Sequence, residues 1–194
     1  MNNKIHKPKL LLGITGASGM LFVTAFLKAL AAAEVTVHGI ISPSGRDVLQ
    51  MEQGVCPEDL PLVSRWFAHD DLAAPAASGS SDYSAMVVVP CTMGSLAAIA
   101  GGLSINLIHR AADVILKERK RLVLAVRETP LNRTHLTNML AVHDAGGVIC
   151  PTMPSYYLKP ETLQQAAESY SWRLADQLFI DIPNRKRWKN SHQL

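Results

Sequence analysis

The feature that most constrains the fold of this chain is the alternation of short apolar runs with longer segments of helical pattern. The apolar runs read LLLGI, VTVHGII, AMVVVP, LVLAV and GVICP. Continuous apolar strands are typical of parallel sheets whose two faces are both covered by helices. The alternation therefore predicts a doubly wound α/β domain with a parallel sheet and three layers.

Helical patterns follow most of these runs. They cover residues 20–33, GSLAAIAGG, NLIHRAADVILKERK, HLTNMLAVHDAGG and a long final helix from Pro160 to about Phe179. Apolar residues recur at helical spacing in the final helix, which predicts a stripe that faces the core. The stripe consists of Leu163, Ala167, Tyr170, Leu174 and Leu178. The segment after VTVHGII reads as a polar stretch, and LAAPAASGSS at 72–81 reads as a loop.

Length and charge limit the domain count and the classes of partner. With 194 residues, 48% of them hydrophobic, the chain fits a single domain over 1–194, with terminal extensions at 1–8 and 183–194. The net charge of +3 comes from four basic residues in the terminal stretch PNRKRWKN, so the body is close to neutral. A nucleic-acid binder spreads its basic residues over a docking face, so we expect no nucleic-acid partner. No apolar run reaches the roughly 18 residues of a membrane helix.

Cysteine and histidine spacing gives no sign of a disulfide framework or a metal site. Cys56, Cys91 and Cys150 are far apart and form no C-x-x-C pair, and the seven histidines form no H-x-H or H-E-x-x-H pattern. Cys91 lacks an evident base, so we expect it to be buried for packing rather than to act as a nucleophile. The glycine-rich break at 13–19 argues against a secretion signal. We therefore predict a cytoplasmic protein without a bound metal.

Ligands of doubly wound sheets bind beyond the carboxyl ends of the strands, so the loops that hold the site can be named. These loops are GITGASG, ISPSGRD, VPCTMGS, VRETP and CPTMPSYY. The first has glycines at 13, 16 and 19, which is neither the G-x-G-x-x-G of dinucleotide binding nor a Walker A loop. It also fails the G-x-S-x-G elbow by one position. Its backbone N–H groups, with the hydroxyls of Thr15 and Ser18, suit one phosphate at a helix N-terminus.

Three further segments carry a resemblance to a known family. The segments PCTMGSLAAIA at 90–100, NLIHRAADVILKERKRLVLAVRETPL at 106–131 and PSYYLKP at 154–160, together with GITGASG, resemble the UbiX-type flavin prenyltransferases. The likeness spans about residues 9 to 180. It implies flavodoxin-like (Rossmann-like) subunits assembled into a homododecamer. The implied reaction joins a dimethylallyl group from dimethylallyl monophosphate to N5 and C6 of reduced FMN, without a metal. The product, prenylated FMN, serves a UbiD-type decarboxylase.

The resemblance also implies a role for individual residues. Those that match FMN-binding positions are Gly16, Ala17, Ser18, Ser42, Thr92, Met93, Gly94, Ser95 and Arg127. Those implied in catalysis are Glu128, Glu52, Lys117 and Ser18. Those implied in binding the prenyl phosphate are Lys117, Tyr157, Arg173, Arg110 and Trp188, the last an aromatic that closes over the site.

The physical chemistry of these positions agrees with the implied reaction. Arg110, Asp113 and Lys117 lie on one helical face, where Asp113 is expected to pair with Lys117. Arg127 and Glu128 directly follow LVLAV, and the guanidinium is expected to keep the neighbouring carboxylate ionised. Cationic donors stabilise a departing phosphate. Glu128, or the released phosphate, is then the candidate base at C6.

Two other functions stay open on the sequence. A flavin-dependent cysteine decarboxylase shares the fold, but its P-x-M-N-x-x-M-W element is replaced here by PCTMGSLAAIA. A non-catalytic flavin carrier is the other alternative. The chain also departs from the UbiX pattern at Leu72 and Ser81, where aromatic residues are usual, so the aromatic lining of the site is not assigned.

Overall fold

The computed structural model describes residues 7–187, which form a six-stranded parallel sheet between two layers of helices. The strands lie in the order β3-β2-β1-β4-β5-β6. Their bounds are β1 Lys9–Ile14, β2 Thr36–Ile41, β3 Val63–Phe67, β4 Tyr83–Cys91, β5 Arg121–Val126 and β6 Val148–Ile149. This is the Rossmann-type strand order, and the direction of winding reverses between β1 and β4. The predicted doubly wound α/β fold is confirmed.

Within residues 7–187, six α-helices cover the sheet and divide the core into two parts. Their bounds are α1 Met20–Leu30, α2 Pro43–Gln53, α3 Met93–Ala100, α4 Leu107–Lys117, α5 Arg133–Asp144 and α6 Leu163–Gln177. The core on one face combines side chains of α1 and α6 with those of β1. The core on the other face combines α3, α4 and β5 side chains. Within the described residues, no helix is long and apolar enough to cross a membrane.

The polar stretch after β2 contains a helix and a strand that the sequence pattern did not predict. Helix α2 begins at Pro43, and the Ser42 hydroxyl accepts a hydrogen bond from Gly45 N at 3.0 Å. Strand β3 has the sequence VSRWF and lies at the edge of the sheet, with its side chains only partly buried. An edge strand lacks the continuous apolar run of the central strands, which explains why the pattern missed it.

The bounds of two helices differ from the prediction. Helix α1 ends at Leu30, three residues earlier than predicted. Helix α6 begins at Leu163, because the Thr162 hydroxyl caps it by accepting a hydrogen bond from Gln165 N at 3.1 Å. The predicted core stripe is wrong at Leu163, which is 80% exposed in the first turn, and holds for the four positions that follow.

Candidate functional site

The reversal of winding between β1 and β4 places two loops side by side at the carboxyl end of the sheet. The Thr15 hydroxyl donates to Pro90 O at 2.8 Å and accepts from Thr92 N at 2.9 Å, which ties residues 15–19 to residues 91–95. Thr15 is 2% exposed. Its hydroxyl is therefore used within the protein, and the prediction that it helps to bind a phosphate is wrong.

The N-terminus of α1, which follows the opening loop, already holds a carboxylate. Glu52 Oε2 accepts hydrogen bonds from Gly19 N at 2.9 Å and from Met20 N at 2.8 Å. The sequence predicted that backbone N–H groups at this helix N-terminus would bind a phosphate. The carboxylate takes the place of that anion at the positive end of the helix.

Glu52 is held in its ionised form by its surroundings. Burial alone would raise the pKa of the carboxyl, but a hydrogen bond from Ser18, the two backbone donors and the positive charge of Arg127 outweigh it and lower the pKa. The structure thus brings together three predicted site residues: Ser18 of the opening loop, Glu52 in the last turn of α2 and Arg127 after β5. We call these three residues the Glu52 cluster.

Two further helices, α2 and α3, begin at this end of the sheet, and each is capped by a hydroxyl. Ser42 caps α2, and Thr92 caps α3 by accepting a hydrogen bond from Ser95 N at 3.2 Å. The opening loop lies against the α2 N-terminus, since a Cβ placed on Gly16 would come within 2.5 Å of Ser44. Only glycine fits at this close approach, which explains the residue type at position 16.

The start of α3 has room for a flat ligand. A Cβ placed on Gly94 would meet nothing within 4 Å, so the space in front of this glycine is open. The N–H groups of Met93 and Gly94 belong to the first turn, which has no helical carbonyl to accept them. Ala17 and Ser95 are buried beside this space. The predicted FMN residues therefore offer small side chains and free donors, which fit a flavin.

Arg127 and Glu128 lie at the carboxyl end of β5, as predicted. Arg127 N donates to Cys91 O at 3.1 Å, which fixes the loop beside the end of β4. Glu128 Oε1 accepts from Thr129 N at 3.0 Å and is exposed. Across residues 7–187, no ion pair within 4.0 Å joins the two side chains. The positive charge of Arg127 contributes to the lowered pKa of Glu52.

Tyr157 and Arg173 line one open groove, with a volume of about 810 Å³, between the 153–158 segment and α6. Lys186, Arg187 and Asp176 line the same groove, so three cationic side chains and one carboxylate surround it, and Asp176 pairs with Arg187 at 3.4 Å. Arg173 is exposed to the groove rather than directed into the core. The arrangement suits a phosphate, as predicted for Tyr157 and Arg173. Trp188 lies outside the described residues.

Arg110 and Lys117 lie apart from the other predicted residues of the same chain. Arg110 pairs with Asp113 at 2.9 Å and donates to Ala77 O at 3.2 Å, while Lys117 pairs with Glu118. The predicted pairing of Asp113 with Lys117 is therefore wrong. Lys117 lies beside Gly79, since a Cβ placed on that glycine would come within 2.6 Å of Lys117 Nζ. Gly79 is in the segment that leads into the amino end of β4, whereas Glu128 lies at the carboxyl end of the sheet.

Sequence reasoning missed a buried histidine behind the start of α3. His109 is 7% exposed, and its Nε2 lies 3.3 Å from Ser95 Oγ. The cap residue Asn106 three positions earlier is a local signal for the start of α4, but nothing in the sequence indicates the contact with Ser95. By contrast, the predicted burial of Cys91 is confirmed, and burial raises the pKa of this thiol to about 12.

Comparison with known proteins assigns the family. A flavoprotein family model matches residues 1–169. The chain is 44% identical over 183 residues to a probable UbiX-like flavin prenyltransferase of Bacillus subtilis, covering 94% of this chain and 90% of that protein. The chain belongs to the UbiX family of flavin prenyltransferases. The family resemblance and the enzyme class predicted from the sequence are thereby confirmed, and the cysteine decarboxylase alternative is not adopted.

Two solved structures of UbiX proteins have the same fold. AnUbiX (PadA1), crystallised with FMN and dimethylallyl pyrophosphate, superposes with a TM-score of 0.91 at 38% identity, covering 94% of this chain and 97% of that chain. A dodecameric FMN-dependent UbiX-like decarboxylase from Escherichia coli O157:H7 gives a TM-score of 0.89 at 37% identity, covering 93% and 98%. The first shows a flavin and a prenyl donor bound to this fold, and the second shows a large homo-oligomer.

A Glu52→Gln substitution tests the electrostatic account of the α1 N-terminus. Because the folded protein lowers the pKa of Glu52 below its ordinary value of 4.5, the ionised carboxylate stabilises the fold above that value, and this contribution is lost as the pH falls through the lowered pKa. Since Glu52 is exposed, we expect Glu52→Gln to lower the free energy of unfolding by at most about 1 kcal/mol at neutral pH.

Urea unfolding of the wild type and the variant over a pH series measures this difference. The expected difference shrinks from neutral pH towards the lowered pKa and vanishes below it. Glu168→Gln, on the exposed face of α6, is the matched control and should show no such trend. A Glu52→Gln difference that stays constant across the pH series would contradict the proposed charge interaction.

Proposed function

We propose that this protein joins the dimethylallyl group of dimethylallyl monophosphate to N5 and C6 of reduced FMN, releasing inorganic phosphate. The observation that carries the proposal is the Glu52 cluster, which lies at the carboxyl end of the sheet together with the open first turn of α3. Doubly wound sheets bind their ligands at this point. The UbiX relative crystallised with FMN and a dimethylallyl donor supports the same pair of substrates.

The reaction balances in two steps. In the first, the bond between C1 of the donor and its phosphate oxygen breaks, the phosphate leaves with the electron pair, C1 bonds to N5, and the N5 proton is lost. In the second, the alkene takes up a proton, its tertiary carbon bonds to C6, and the C6 proton is lost. The flavin gains C5H8 overall, and the donor becomes phosphate.

We assign the departing phosphate to the groove beside Tyr157 and Arg173. The guanidinium and the phenol hydroxyl donate hydrogen bonds to an oxyanion, which stabilises negative charge as it develops on the leaving group. The nearby Lys186 adds positive charge to the groove, while the charge of Arg187 is offset by its ion pair with Asp176. Donors that are already oriented before the bond breaks need little rearrangement in the transition state.

We assign proton transfer to two carboxylates. Glu52 is ionised next to Ser18 and is assigned the proton released at N5, which it holds only transiently because its surroundings lower its pKa. Glu128 is exposed at the carboxyl end of β5 and is assigned the proton released at C6. Glu52 lies in α2 and Glu128 in the loop after β5, and each has its own hydrogen-bond partners, so the two transfers do not compete for one base.

Lys117 and Arg110 take part in this scheme only if another copy of the chain supplies them. Within one chain Arg110 is bound to Ala77 O and to Asp113, and Lys117 lies beside Gly79 towards the amino end of the sheet. Large apolar side chains are exposed elsewhere on the surface, which is typical of a subunit interface. They include Leu103, Ile105, Leu136 and Leu140. We therefore propose a homododecamer, supported by the dodecameric relative.

Light scattering on the purified protein tests the assembly. The expected mass is that of twelve chains, and a monomer at micromolar concentration would contradict both the assembly and the shared site. The UbiD-type decarboxylase as recipient, the cytoplasmic location and the single flavin-binding domain over 1–194 stay predictions.

Anaerobic incubation with reduced FMN and a prenyl donor tests the activity. Mass spectrometry of the extracted flavin should show a gain of C5H8, with a changed absorbance spectrum and release of phosphate. Parallel reactions with the mono- and the diphosphate identify the donor. Flavin that binds but stays unmodified with both donors would instead support the non-catalytic carrier.

A further inference from the structure

The loop proposed to hold FMN is connected to a buried histidine on the next helix. Ser95 is in the first turn of α3, and His109 is in the first turn of α4. Their side chains approach to 3.3 Å between Ser95 Oγ and His109 Nε2. Both residues are at least nine-tenths buried, with exposures of 9% and 7%. The contact therefore joins the back of the site to the interior of the protein.

The surrounding hydrogen bonds determine which atom carries each proton. Asn106 Oδ1 accepts from His109 N at 3.0 Å, so the NH2 group of the same amide faces the ring and lies 3.4 Å from Nε2. An NH2 group can only donate, so Nε2 must accept. Burial, with a further contribution from His69, lowers the pKa of His109, which favours the neutral ring. Its one proton is then on Nδ1.

The Ser95 hydroxyl consequently donates to Nε2. Its oxygen in turn accepts from the Thr92 hydroxyl at 3.2 Å. Both hydroxyl protons point inward along one chain of hydrogen bonds, from Thr92 to Ser95 to His109. The Nδ1 atom at the end of the chain is buried and has no hydrogen-bond partner within residues 7–187. A buried donor without a partner lowers the free energy of unfolding, and an apolar side chain would fill the same space without that loss. Packing alone therefore does not explain a histidine at this position.

We propose that His109 is a positioning residue for the flavin site: by accepting the Ser95 proton, it fixes the orientation of the Thr92 and Ser95 hydroxyls. In this state both oxygens present lone pairs to the ligand, while the N–H groups of Met93 and Gly94 present donors. The start of α3 then offers acceptors and donors in a fixed pattern. The inference rests on the proposed function, since it takes this loop as the FMN site.

Titration of the apo-protein with FMN, with no prenyl donor present, tests this inference separately from catalysis. His109→Leu removes the acceptor and is expected to weaken FMN binding by about 3- to 10-fold, the usual effect of one hydrogen bond. His109→Gln keeps a polar amide near the position of Nε2 and should bind within about 2-fold of the wild type. His143→Leu, on the exposed face of α5, is the matched control and should leave the affinity unchanged.

A double-mutant cycle with Ser95→Ala separates positioning from a general effect on folding. If His109 acts through Ser95, the double variant should bind FMN no more weakly than Ser95→Ala alone. Additive losses, or an unchanged affinity of His109→Leu, would overturn the inference. A wild type that binds FMN with this coupling but forms no prenylated product would overturn the proposed activity and leave the positioning role standing.

Discussion

Glu128→Gln is expected to retain FMN and donor binding but to lose ring closure by a factor of about 10² to 10⁴, the usual effect of removing one acid–base group. The structure makes this substitution conservative in shape, because the Gln carbonyl can still accept the hydrogen bond that Thr129 N gives to the carboxylate. Only the ability to take up a proton is lost. If attack at N5 comes first, a product with a single new bond to N5 should accumulate.

Rapid-quench mass spectrometry and absorbance measured over the reaction would detect that accumulation. Glu161→Gln, another exposed carboxylate, serves as the control and should react at the wild-type rate. If Glu128→Gln reacted at the wild-type rate, the released phosphate or another group would be the base at C6. The assignment of Glu128 would then be wrong, while the assignment of the phosphate groove would be unaffected.

Activity of assemblies that contain two different variants tests whether neighbouring chains share a site, because Lys117 and Glu128 lie at opposite ends of the sheet in one chain. We expect Lys117→Ala alone to reduce the rate of the first step by about 10² to 10³, since it removes a cation from the leaving phosphate. No product bonded to N5 should accumulate. Co-expression of Lys117→Ala and Glu128→Gln chains should restore about one quarter of the wild-type activity. Each shared site takes Lys117 from one chain and Glu128 from another, and with random mixing each of these residues is intact in about half of the sites.

A second mixture provides the control. Glu52 and Glu128 are assigned to the site of one chain, since both lie at its carboxyl edge near Arg127. Co-expressed Glu52→Gln and Glu128→Gln chains should therefore show no restoration, as every site lacks one of the two carboxylates. If the mixture with Lys117→Ala also failed to recover, Lys117 would not be supplied by a neighbouring copy, and its predicted role in phosphate binding would be withdrawn.

The sequence predicted the central strands and most helices because burial and capping are local properties. Continuous apolar runs identified β1, β4 and β5, and helical spacing identified α4 and α6. The edge strand β3 and the exposed position of Leu163 were not predicted. Both lie at the margin of the core, where an apolar residue can be exposed and a strand can contain polar residues, so the apolar pattern no longer indicates burial.

The sequence by itself identified the family and predicted the loops of the site, since the carboxyl ends of parallel strands meet at one end of the sheet. The tertiary structure decided which side chains meet there. Glu52 accepts hydrogen bonds at the α1 N-terminus, the Thr15 hydroxyl links two loops, and the positive charge of Arg127 helps to lower the pKa of Glu52. The physical reason is that a helix terminus or a hydroxyl takes the partner that the packing brings within about 3 Å, whatever its distance along the chain. Spacing in the sequence determines which residues share one face of a helix or strand. Only the packing of the elements determines which hydrogen-bond or ion-pair partner each side chain meets.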